Sequence, residues 1–121
     1  MDYTASHKGA TYKERDSAVA PGVATTIIDG VVPPFNAAGL QILFSMDNVA
    51  AWANGRLEIF NKGVSVWVFE DQFLTLLEPF FLFRNVKFSD NYSAVLTHNH
   101  GVNVEAAIQI SIEPSVQGVH E

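Results

Sequence analysis

The run from Val102 to Glu113 constrains the fold more than any other stretch. Val102, Val104, Ala106, Ile108, Ile110 and Ile112 share one parity, while Asn103, Glu105, Gln109, Ser111 and Glu113 share the other. A helix would scatter those apolar residues around its circumference. A strand sends alternate side chains to opposite faces, so this run reads as a long strand with one face in a core and one in water. An apolar face of that length needs a second layer to cover it.

Shorter runs of the same texture supply that layer. Val23 to Val32 is rich in Val, Thr and Ile, contains Asp29-Gly30 as a bulge or tight turn, and stops at Pro33-Pro34. Leu40, Ile42, Phe44 and Met46 alternate with Gln41, Leu43 and Ser45, the period of a half-buried strand. Arg56 to Phe60 and Val64 to Phe69 flank Asn61-Lys62-Gly63, the composition of a three-residue hairpin loop. Val86 to Phe88 is expected to meet Tyr92 to Thr97 across Ser89-Asp90-Asn91. Asn99-His100-Gly101 then turns the chain into the last strand as a further hairpin. Asp47 to Asn54 reads as a helical turn between sheets. Glu70 to Phe83 fits helix or strand by period, and strands are favoured because Pro79 interrupts any helix. Strands at this spacing, with turn signals between them, predict an all-β fold. The expectation is an antiparallel β-sandwich, a jelly roll of about eight strands.

The 121 residues suffice for one domain and one core. Residues 1–22 lack an apolar period, carry Tyr3 and Tyr12, and end at Pro21-Gly22, so they read as an extended N-terminal arm on a sandwich of residues 23–121. On this division, residues 1–20 can be removed without loss of the fold.

Charge and composition exclude several partners. Seven Lys and Arg against thirteen Asp and Glu give a net −6, and the arm is balanced. The excess acid therefore sits in the body, where Arg56, Lys62, Arg84 and Lys87 are the cations. A nucleic-acid partner is not expected, because backbone binding needs a basic face. No apolar run is long enough for a helical membrane span, and residues 1–20 lack the pattern of a secretory signal, so no membrane partner is expected. The chain has no cysteine, which removes disulfides, thiolate metal sites and a cysteine nucleophile together. Nucleophile-elbow, phosphate-loop and dinucleotide-loop signatures are absent.

Three constellations carry the functional reading. His98, His100 and Glu105 form an HxHxxxxE pattern. Two histidines two apart on a strand share a face, and a carboxylate on a returning strand can reach them, which suits one divalent transition metal. The pattern resembles the first metal motif of the cupins, small β-barrel proteins, and the resemblance implies a metal-dependent enzyme using those residues. It departs at Tyr92 and Ile112, where the cupins have glycines, and only Pro114, Gly118 and His120 echo a second motif. The plainer alternative makes the histidines turn-flanking residues and Glu105 part of a solvated face.

The second is the string Val95 to Gly101 followed by the alternating strand, about 18 residues in all. It resembles the strand, His-Asn turn, strand pattern of small β-sandwich domains in bacteriophage tail and virion proteins. That resemblance implies a structural subunit without catalytic residues. The third is the aromatic load. In Val64 to Phe69 both parities are apolar, and Phe80, Phe81 and Phe83 crowd one short strand. One face fills the core, and the other needs a cover from the same chain or a neighbour.

The reading that joins these lines is a non-enzymatic structural and interaction protein with no cofactor. It is expected to be a homo-oligomer, a trimer or other closed ring, within a larger protein assembly such as a phage capsid decoration or tail component of the virion. Its interface residues are Tyr3, Tyr12, Trp52, Trp67, Phe69, Phe80, Phe81 and Phe83. The alternatives are the cupin-like enzyme, in a cytoplasmic setting, and a carbohydrate-binding jelly-roll module using Trp52 or Trp67.

Overall fold

The structure is a computed structural model and describes residues 10–46, 55–70, 80–99 and 101–113. These residues form eight strands: β1 (Ala10–Val19), β2 (Thr25–Val31), β3 (Ala37–Met46), β4 (Arg56–Asn61), β5 (Val64–Glu70), β6 (Phe80–Val86), β7 (Tyr92–Thr97) and β8 (Val104–Glu113). Sheet A has the order β1-β8-β3-β6 and sheet B the order β2-β7-β4-β5. Every pairing is antiparallel.

The pairing has a simple rule. The chain is folded in half at the β4–β5 hairpin, so β4 pairs with β5, β3 with β6, β2 with β7 and β1 with β8. That double-wound arrangement across two sheets is a jelly roll, as the strand count predicted. Among the described residues, no helix is long and apolar enough to cross a membrane.

The core lies where the predicted alternation puts it. Leu40, Ile42, Phe44 and Met46 of β3 are buried, as are Val104, Ala106, Ile108, Ile110 and Ile112 of β8. They pack in one cluster with Leu57 and Ile59 of β4 and Tyr92, Ala94 and Leu96 of β7. Each such Leu or Ile contributes roughly 1.5–3 kcal/mol through burial, so these four central strands hold the sheets together.

Three local expectations are corrected. First, residues 10–19 are not a separate arm. They form edge strand β1, in register with β8 from Ala10↔Ile112 to Asp16↔Ala106, and the Tyr12 hydroxyl donates to the Val32 carbonyl at 2.9 Å. Second, neither Ser89-Asp90-Asn91 nor Asn99-His100-Gly101 closes a hairpin. β6 and β8 belong to sheet A and β7 to sheet B, so each of these loops crosses between sheets. Third, the hairpin loop is one residue shorter than expected. Asn61 pairs with Val64, and Lys62 (φ 53°) and Gly63 (φ 81°) both take positive φ, as a two-residue type I′ turn requires. The predicted Asp29-Gly30 irregularity is present, with Gly30 at φ 72° inside the register shift between Ile28 and Val31 of β2. Of the stretch from Glu70 to Phe83, for which strands are favoured, Phe80–Phe83 open β6, and residues 71–79 lie outside the described residues, as does the helical turn expected over 47–54.

The β6–β7 crossing is held by Asp90. Its buried carboxylate accepts from the Lys87 amide at 2.9 Å and from the hydroxyl of fully buried Tyr92 at 2.8 Å. Burial opposes its ionisation. The hydrogen bonds from Lys87, Tyr92 and Asn61 and the charge of Lys62 outweigh that and hold its pKa below the usual 3.8. A depressed carboxyl pKa contributes stability that is complete above the unfolded-state value and is lost as pH falls through the folded-state value.

Three outcomes follow from the Asp90 contacts and from the β1–β8 pairing. Asp90→Ala removes the carboxylate that accepts from the buried Tyr92 hydroxyl and the Lys87 amide, and urea unfolding near neutral pH should find it less stable by about 2–3 kcal/mol. Wild type should lose stability on acidification below about pH 4, and the variant should lose less over that window. Equal stability of the two proteins near neutral pH would overturn the role of Asp90. Removal of residues 1–20 strips β1 from β8, and thermal melting followed by circular dichroism should show a chain that no longer unfolds cooperatively; an unchanged transition would return residues 10–19 to the status of an arm.

Candidate functional site

The sheets end differently on their two sides. β1 and β2 end sheets A and B on one side, joined by the Tyr12–Val32 bond, which leaves β6 and β5 to end them on the other. An edge strand is a row of backbone groups open to another strand, and proteins guard such edges with charge, bulges or covering segments.

β1 is guarded by charge. Lys13 and Arg15 occupy its outward rows, opposite Gln109 and Ala107, while Glu14 and Asp16 occupy the core-facing rows opposite Ile108 and Ala106. β2 is guarded by its two register shifts and by Asp29.

β5 is guarded less, by a single register shift. From Val64 to Phe69 it carries no charge, and Glu70 is its one ionisable residue. Trp67 stands opposite Ile59 and Phe69 opposite Leu57, and the two aromatic rings lie 5.6 Å apart, tilted by 44°. Opposite residues share a face, so Trp67 and Phe69 lie on the side of the buried Leu57 and Ile59. Phe69 and Val66 pack against the core, yet Trp67 is 47% exposed, Val64 66% and Val68 38%. A register shift between Ile59 and Phe60 leaves Val66 as the extra residue of a bulge. Three large exposed apolar side chains thus fall within five positions of one edge. Val23, Val32, Phe88 and Val102, also exposed, lie outside the strands. Glu70 is held 3.6 Å from Arg56, whose other terminal nitrogen lies 3.3 Å from Glu58.

The predicted interface residues therefore divide. Trp67 and Phe69 lie on β5, and Phe80, Phe81 and Phe83 lie on β6, so both strands with the aromatic load are edges on one side. In β6, Phe80 stands at the register position of Ile42, Phe81 at that of Gln41 and Phe83 at that of Gly39. Tyr12 lies on the opposite side and is bonded within the fold. Tyr3 and Trp52 lie outside the described residues.

The two described members of the metal triplet are not brought together. His98 follows β7 of sheet B, is fully buried, and donates from Nε2 to the Val19 carbonyl at 2.8 Å, since a carbonyl can only accept. Its own carbonyl accepts from the Gly22 amide at 2.7 Å. The histidine thus fastens the turn between β1 and β2, where Gly22 takes φ 72°, to the end of β7. Glu105 lies on β8 of sheet A, on the face opposite its buried neighbours Val104 and Ala106, and pairs with Arg15 at 2.6 Å. His100 lies outside the described residues. The carboxylate does not return to His98 because the intervening loop changes sheet. Among the described residues, no group of three or more His, Asp or Glu is placed to hold a metal ion.

One surface feature had no signal in the sequence pattern. On the outer face of sheet A a shallow hollow of about 480 Å³ opens where small Ala107 lies between Arg15 and Ser45, with Lys13, Leu43 and Gln109 around it. It depends on the register of three strands. No single segment carries it.

No protein-family model matches the chain, and no curated protein matches it in sequence. The fold does have a likeness. The chain is similar to the structure described as "Crystal Structure of FLHE", with 10% identity, a TM-score of 0.51, and coverage of 87% of this chain and 97% of that one. At that identity the likeness concerns architecture alone.

His98 gives this site its test. His98→Ala removes a buried ring and leaves the Val19 carbonyl without that donor, and chemical denaturation should show a loss of about 2–4 kcal/mol. A variant as stable as wild type would remove the fastening role.

Proposed function

We propose that this chain is a structural and interaction protein that works as a subunit of a homo-oligomer and meets its neighbours through the side of the sandwich where β5 and β6 end the sheets. The observation that carries the reading is the uncharged edge from Val64 to Phe69, with Trp67 half exposed. Apolar side chains beside open backbone groups favour association with another chain over permanent contact with water. Burial there supplies roughly 25 cal/mol per Å² before the costs of association.

Within that role, a virion decoration or tail component is the setting the sequence resemblance supports. The setting rests on Val95 to Gly101 and the strand that follows, together with an acidic, cysteine-free sandwich. Binding is the work of such a subunit, and no cofactor takes part.

Native mass spectrometry of the untagged chain tests the assembly. A discrete oligomer without stoichiometric metal is expected. A strict monomer at all concentrations would overturn the reading, and one metal ion per chain would return attention to His98 and Glu105. Antibody raised against the chain should label assembled particles; label confined to free soluble protein would remove the virion setting.

A further inference from the structure

We propose that β5 pairs antiparallel with β5 of a second copy of this chain, joining the two B sheets into one continuous eight-stranded sheet across a two-fold axis. This rests on the assembly reading above and goes further by naming the strand, the partner and the symmetry. It narrows the trimer or other closed ring of the sequence expectation to an even-numbered assembly.

Three observations select a second copy as the occupant. The first is position. Among the described residues β5 ends sheet B, and between Val64 and Val68 its outer edge faces no other described strand of that sheet. The second is the distribution of charge. The chain carries a net charge of −6, so two copies repel each other overall, whereas β5 from Val64 to Phe69 is free of charge. An identical edge is apolar by construction, and the like charges of the two bodies stay away from the contact.

The third is the polarity of the strand ends. Lys62 sits in the turn before β5, and Glu70 is its last residue. An antiparallel approach brings the Lys62 end of each strand to the Glu70 end of the other, so opposite charges meet twice, once on each side of the axis. A parallel approach sets lysine beside lysine and glutamate beside glutamate. Cross-strand pairs of opposite charge stabilise a sheet, and like pairs weaken it. Between those ends Val64 of one chain stands opposite Val68 of the other, and Trp67 opposite Ser65. Such strand addition gains its affinity from main-chain hydrogen bonds and its register from side chains such as these.

The test is a set of variants of the full chain read by sedimentation equilibrium, with circular dichroism melting to establish that each is folded. Wild type is expected to form dimers or multiples of dimers. Val64→Lys with Val68→Lys, at exposed positions, should weaken dimerisation at least about tenfold while leaving the melting transition in place. Lys62→Glu alone and Glu70→Lys alone should each weaken it several-fold, and the two together should restore it, because the reversed charges face each other again. Amides of β5 should exchange slowly in wild type and quickly in the double-lysine variant.

Restoration by the double charge reversal supports the antiparallel contact. An oligomer that is indifferent to the lysine substitutions overturns β5 pairing while leaving assembly through another surface. Weakening by both single reversals without restoration overturns the antiparallel arrangement. A wild-type chain that stays monomeric up to millimolar concentration overturns both this contact and the assembly reading.

Discussion

The turn at Lys62-Gly63 is the constraint around which the fold is arranged. Two consecutive residues with positive φ twist the backbone in the sense that matches the twist of the flanking strands, so β4 and β5 leave the turn already paired. Every other pairing repeats that fold-back at greater distance along the chain: β3 with β6, β2 with β7, β1 with β8. Lys62 supplies one of the positive φ values without being glycine, and the surrounding bonds support it. Its amide donates to the Asn91 carbonyl at 2.8 Å, and the Asn61 side chain accepts from the Asn91 amide at 3.0 Å. The hairpin at the middle of the chain is thus tied to the loop carrying Asp90, which locks the β6–β7 crossing. Local geometry at one turn and the arrangement of half the sandwich are the same set of contacts.

How much of this was legible depended on which force left a mark on single residues. β3 and β8 are central in sheet A, with one face in the core, and their burial alternates as their sequences do. The strand class followed from them. The crossings at Asp90 and at Asn99 were misread as hairpins because turn chemistry records that the chain bends and does not record which sheet it bends into. That choice is made by the mirror pairing, a property of the whole chain. β1 was misread for a different reason. An edge strand guarded by Lys13, Glu14, Arg15 and Asp16 has polar residues in both parities, and this erases the period that identifies a strand. The device that protects the edge also hides it.

The site shows the same division. Apolar residues in both parities of β5 marked a strand with more apolar surface than one core face can absorb, and the exposed Trp67 and Val68 agree with that arithmetic. The cluster of His98, His100 and Glu105 was a matter of spacing alone, and spacing assumes that the strands on either side of the turn lie in one sheet. Once the loop crosses to sheet A, His98 faces the interior and Glu105 faces outward beside Arg15. Burial explains the histidine instead. A ring with a polar nitrogen can lie in the core when it finds a carbonyl that needs a donor, and the Val19 carbonyl, at the end of a strand whose chain is about to change sheets, is such a group.

The four edges then sort by what they must avoid and what they can offer. β1 carries charge on both faces and β2 is twice interrupted, so the side on which they lie presents poor templates for another strand. On the other side, β5 is interrupted once, at Val66, and carries no charge from Val64 to Phe69. The asymmetry belongs to the jelly roll itself, because folding the chain in half places its ends on one side and its central hairpin on the other. β1 lies at the chain's start and β5 at its middle. A guard at β1 and an opening at β5 give one molecule a side that resists association beside a side that favours it, and a subunit of that kind joins its neighbours in one orientation.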